Sequence, residues 1–142
     1  MKYSRRDLSL LLPALVSTTA AAQQKILPAG VFRYDDLAVK VNGLNKARSV
    51  FNGETHSGIP VELHLTELGP GQAPHPPHKH VHEEVLLLQR GILDVTIDGK
   101  TTRLGPGSVA YVASNHQHGW MNPGDSSTEY FVIALGHDTD PA

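Results

Sequence analysis

The chain has 142 residues, no cysteine, nine histidines and a formal charge of −2. That length suits one domain with a modest core, and a nearly balanced charge without a basic patch argues against nucleic acid or an anionic membrane as a partner. The missing cysteines exclude disulfides, thiolate catalysis, zinc fingers and lipoprotein anchoring, so any metal must be held by His, Asp or Glu.

Residues 1–22 are expected to be an export leader. Ser4-Arg5-Arg6-Asp7-Leu8 resembles the twin-arginine signal, and the apolar stretch from Leu8 to Val16 follows it. That stretch is shorter than the roughly 20 residues a bilayer-spanning helix needs, and Pro13 interrupts it. Ala20-Ala21-Ala22 forms an A-x-A cleavage pattern, with the cut before Gln23. Cleavage leaves nine basic and thirteen acidic residues, a net charge of −4. The expected product is periplasmic, exported by the twin-arginine route, with no membrane attachment after cleavage.

The mature chain then reads as short strands. Residues 23–56 are an arm with short strands: Pro28 and Gly30 break the pattern, Val31 to Tyr34 and Leu37 to Val39 pack on the main sheet, and Asn42 to Lys46 turn. Ala47 to Phe51 is a strand that Asn52-Gly53 closes as a turn. Ile59 to Leu68 alternates, with Val61, Leu63 and Leu65 on one face and Glu62, His64 and Thr66 on the other. Glu84 to Gln89 is a strand, Gly91 to Ile97 the next, and Asp98-Gly99 turns it into Thr101 to Leu104. Ser108 to Ala113 and Thr128 to Leu135 complete the set, and residues 137–142 form a loose tail. No stretch keeps a helical period, so the expectation is an all-β sandwich or barrel with its core in residues 57–136.

Between the alternating strand and the next lies the chemistry: PHPPHKHVHEEVLLLQRG, from Pro74 to Gly91. Imidazoles and carboxylates at this density offer borderline nitrogen and hard oxygen donors together, which suits a transition metal. A Pro-kinked, solvated, His-rich loop is the plain alternative.

The spacing narrows the choice. His78-Lys79-His80, three residues, Glu84, six residues and Gly91 are followed by Gly107, Ala113, Asn115, His118 and Asn122 at fixed distances. In this the chain resembles the cupin superfamily, whose two motifs are G(x)5HxH(x)3-4E(x)6G and G(x)5PxG(x)2H(x)3N. Gly71 is one residue out of step, and Ala113 and Asn115 replace the motif's proline and inner glycine. The resemblance implies a single cupin barrel of jelly-roll type, with His78, His80, Glu84 and His118 holding one divalent transition metal. Residues two apart in an extended chain share a face, so His78 and His80 aim together. Four protein ligands leave an octahedral ion about two open positions.

From the same resemblance come a homodimer and a small-molecule substrate or ligand. The first expectation for activity is a metal-dependent enzyme acting on a small oxygen-rich molecule, by dioxygenation with iron or else by decarboxylation with manganese. A non-catalytic binder of metal or small ligand is the competing class. Manganese or iron is expected if the ion is inserted before twin-arginine export, although zinc, nickel or copper suit the same donors. Glu62 and His64 become general acid/base candidates if their strand turns its polar face inward. Arg48 is a candidate clamp for a substrate carboxylate. His82 and Glu83 read as a solvated turn, His75 as rim, His116 as loop, and Trp120 and Tyr111 as core.

Overall fold

The computed structural model describes residues 26–138, so the leader and the end of the tail lie outside the described residues. Nine strands follow one turn of 3-10 helix at Tyr34–Asp36: β1 (Val39–Asn42), β2 (Asn45–Glu54), β3 (Pro60–Leu68), β4 (Glu83–Arg90), β5 (Leu93–Ile97), β6 (Lys100–Leu104), β7 (Val109–Val112), β8 (His118–Met121) and β9 (Thr128–Leu135). They form a six-stranded sheet in the order β1-β2-β3-β9-β4-β7 and a three-stranded sheet in the order β6-β5-β8. All pairings between these strands are antiparallel. This is the jelly-roll barrel.

The core lies between the sheets. Leu68, Leu86, Leu88, Tyr130 and Val132 from the large sheet meet Leu93, Val95 and Trp120 from the small one. Each large apolar side chain buried there contributes about 1.5–3 kcal/mol. The Trp120 indole donates to the Tyr130 hydroxyl at 2.8 Å, so this aromatic pair is buried without leaving a donor unmet.

Register decides which face of β3 turns inward. Thr66 pairs with Tyr130 and Leu68 with Thr128, so the face carrying Glu62, His64, Thr66 and Leu68 points into the barrel. The opposite face carries Leu63 and Leu65, which the arm covers with Phe32, Tyr34 and Leu37. Both faces of this strand are therefore in use, which is why its apolar face is the outer one.

Several local expectations change. Asn52-Gly53 is not a turn: both residues sit inside β2, paired with Glu62 and Val61. The chain reverses instead at Thr55, whose hydroxyl accepts from the Ile59 amide at 3.0 Å. A long partner in β3 and a bulge between Ser49 and Phe51 carry β2 past the dipeptide. The boundary placed before residue 57 falls in this hairpin, so β1 and β2 belong to the main sheet. Tyr111 is 56% exposed on the outer face of β7, while Trp120 is buried. β8 was not among the expected strands, since His118-Gly119-Trp120-Met121 shows no alternation and three of its four residues are buried.

Two motif residues serve the frame. Gly91, between β4 and β5, has φ +83°, and a Cβ there would lie 2.8 Å from the Thr128 Cα. No other residue fits both demands. Asn122 is fully buried, and its amide donates toward the carbonyls of Leu68, Gly69 and Ser126 at 2.8–3.1 Å. It clamps the end of β3 to the turn before β9.

Candidate metal centre

Three segments build the site. Residues 77–80 run along the free side of β8: His78 and His118 exchange both backbone hydrogen bonds, at 2.9 and 2.8 Å, and the Asn115 amide donates to the His80 carbonyl at 2.8 Å. Gly119 makes this possible, because a Cβ there would crowd the Pro77 Cα at 3.2 Å. Glu84 enters from β4 on the same inward face as Leu86 and Leu88.

The rings converge. Nitrogens of His78, His80 and His118 lie within 4.8 Å of one another. Glu84 bridges two of them, with Oε2 3.3 Å from His118 Nε2 and Oε1 3.5 Å from His80 Nε2. His80 Nδ1 lies 2.7 Å from the His82 carbonyl, and His118 Nδ1 2.9 Å from the His116 carbonyl. A carbonyl only accepts, so both Nδ1 atoms carry the proton and both Nε2 atoms present a lone pair. Burial, and behind it the imidazoles of His75, His118 and His80, push the His78 pKa down, against an upward pull from Glu84. A neutral imidazole is the ligating form.

The decisive feature is what these atoms lack. His78 Nδ1, His80 Nε2, Glu84 Oε2 and His118 Nε2 are buried without a hydrogen-bond partner. Leaving one such polar atom unmet costs on the order of 1–3 kcal/mol, and here there are four, three of them on imidazoles that lie together. Three nitrogens and a carboxylate oxygen fit a divalent transition metal.

His82 is not the solvated turn residue expected. Its ring stacks on His80 at 3.6 Å and 8°, its Nε2 lies 3.7 Å from Glu84 Oε1, and its Nδ1 lies 2.7 Å from Asp138 Oδ1. Its parity with His78, His80 and Glu84 is the signal that marks it in sequence. His116 is exposed and paired to Asp98, so only its carbonyl serves the site. His75 sits edge-on to His78 at the rim, with ring centroids 4.2 Å apart.

Beside Glu84 opens a cavity of about 270 Å³ that Asn52, Glu62, His64, His82 and Asp138 also line. Glu62 Oε2 accepts from the Asn52 amide at 3.1 Å, and Oε1 lies 3.4 Å from His64 Nδ1. Glu62 and His64 are thus brought to the site. Arg48 is not: it pairs with Leu65 on the outer face, and its guanidinium stacks over the Tyr34 ring at 4.4 Å. The even face of β3 looks inward, and Arg48 lies across from an odd residue.

Fold and site together define a jelly-roll barrel with a candidate metal centre. Residues 64–134 match the cupin domain family, and the chain belongs to it. No curated protein matches the chain. Among solved structures it is similar to an RmlC-like cupin from Shewanella frigidimarina (19% identity, 83% of this chain and 97% of that one, TM-score 0.64). It is also similar to KdgF from a Halomonas species (18%, 78% and 97%, TM-score 0.65). A predicted oxalate decarboxylase from Thermotoga maritima aligns as well (17%, 76% and 100%, TM-score 0.63). At these identities the likeness is one of fold.

Proposed function

We infer that this cupin is a metal-dependent enzyme in which His78, His80, Glu84 and His118 hold one divalent transition metal, manganese or iron before others. The cavity beside them takes a small oxygen-rich molecule. The observation that carries this reading is that four donor atoms, one from each residue, are buried without a hydrogen-bond partner, with the three imidazoles grouped within 4.8 Å. When bound, the metal supplies Lewis-acid polarisation of a coordinated oxygen and, if it is iron, redox chemistry. Dioxygenation of a phenolic or enediol compound is the leading reaction, and decarboxylation the next.

The chain's own groups do the rest. The carbonyls of His82 and His116 fix the tautomers of His80 and His118. Asn52 orients Glu62, and Glu62 with His64 forms an acid–base pair facing the same cavity as Glu84. Such a pair holds a proton beside a coordinated substrate, which favours catalysis over passive binding. After cleavage of residues 1–22 the protein acts in the periplasm as a homodimer.

The test has two arms. Metal analysis of protein isolated from its native compartment should return one manganese or iron per chain. Oxygen uptake and carbon dioxide release are then followed over a panel of catechols, enediols and small keto acids. Glu62→Gln should lower kcat by about 10²-fold with metal content unchanged. A wild-type chain without metal refutes the centre, and Glu62→Gln with full activity refutes the acid–base role. Full metal content without turnover on the panel, but with tight ligand binding, makes the protein a binder.

A further inference from the structure

The residues around the cavity carry charge of one sign. Three carboxylates, Glu62, Glu84 and Asp138, line it. Among the described residues no lysine or arginine does. All four described arginines are engaged elsewhere: Arg33 with Asp36, Arg48 over Tyr34, Arg90 with Glu129 and Arg103 with Asp94. Lys46 pairs with Glu67 at 3.1 Å.

We propose that the cavity selects an uncharged, hydroxyl-bearing ligand and discriminates against carboxylates. This rests on the metal reading above and adds the substrate class, which favours dioxygenation over decarboxylation, whose substrates carry a carboxylate. Three carboxylates face the space, and a divalent ion held by Glu84 would offset two of their charges at most. A ligand that arrives as a carboxylate brings further negative charge to a site with no guanidinium or ammonium to meet it. Sites that recognise carboxylates place an arginine or lysine opposite them, and like charges facing each other cost affinity. A neutral diol instead brings O–H donors to acceptors that are already oriented, Glu62 by Asn52 at 3.1 Å and Asp138 by His82 at 2.7 Å. A carboxylate oxygen has lone pairs for more than one such donor. At about 270 Å³ the space lies below the usual range for drug-sized ligands and suits a single small ring or short polyol.

The probes are 1,2-dihydroxybenzene and oxalate, each titrated calorimetrically at pH 7 into full-length mature protein whose metal content has been measured. The expected result is dihydroxybenzene binding at least about tenfold tighter than oxalate, a gap of about 1.4 kcal/mol. Glu62→Gln and, separately, Asp138→Asn should each narrow that ratio, because each removes one negative charge while keeping the shape. The Asp138→Asn change lies at an exposed position, so it keeps the test open if Glu62→Gln folds poorly. Oxalate binding as tightly as dihydroxybenzene overturns the charge selection and leaves the metal centre standing. An unchanged ratio in both variants also overturns it. A wild-type chain that holds no metal removes both readings together.

Discussion

His78 and His118 face each other across two backbone hydrogen bonds, so the two motifs meet main chain to main chain before either imidazole takes part. The bridge does not depend on the rings. His118→Ala, or His80→Ala, should therefore keep the barrel and lose the ion. Metal affinity is expected to fall by more than about 100-fold, while far-ultraviolet circular dichroism is retained. Full metal stoichiometry in both variants contradicts the assignment. An unfolded variant shows that the ion is structural.

Acid should weaken the metal-free protein through His78. Its folded-state pKa is lowered from the ordinary value of 6.5, first by burial and then by neighbouring imidazoles. The unfolded chain thus binds the proton more readily, and stability rises with pH in that window. It is complete above about 6.5 and is lost as pH falls from there through the lower folded value. Denaturation midpoints measured from pH 7.5 to pH 5 should fall, and His78→Asn should flatten part of the slope. An identical slope in the variant places the titration elsewhere.

Asn122→Ala should destabilise the fold without touching the donors. It strips donors from the Leu68, Gly69 and Ser126 carbonyls, an expected loss of about 2–4 kcal/mol. The melting temperature should drop by roughly 10 °C. A shift within two degrees or so shows that water replaces the amide.

Arg48→Ala should leave metal content and KM unchanged, because the side chain caps Tyr34 on the outer face. The measurable effect is a loss of about 0.5–1 kcal/mol of stability. A KM raised about tenfold brings Arg48 back to the ligand.

The metal itself tests the leader. Residues 1–22 lie outside the described residues, and twin-arginine export of a folded chain would load the ion in the cytoplasm. Replacing the leader with one that exports unfolded chains should shift the content from manganese or iron toward zinc or copper, which bind such donors more tightly. Equal metal content by both routes removes the link between export and ion.

Local patterns carried much of this molecule. Strand alternation in Ile59 to Leu68, the glycine punctuation and the in-register His/Glu spacing are short-range signals; the barrel answers to them, and the imidazoles of His78, His80 and His118 lie together. What needed tertiary structure was every choice between two faces. The alternation of β3 is the same whichever face turns inward, and only pairing with β9 put Glu62 and His64 in the cavity and Leu65 under the arm. Asn52-Gly53 is locally a turn and became a strand because β3 offered it a ladder. β8 has no period of its own and is held by β5 on one side and by His78 on the other. Arg48 is placed by the same parity, opposite Leu65 rather than opposite the ligands. Residue spacing sets which side chains lie together on one strand face, whereas the side on which the core forms depends on partners distant in the chain.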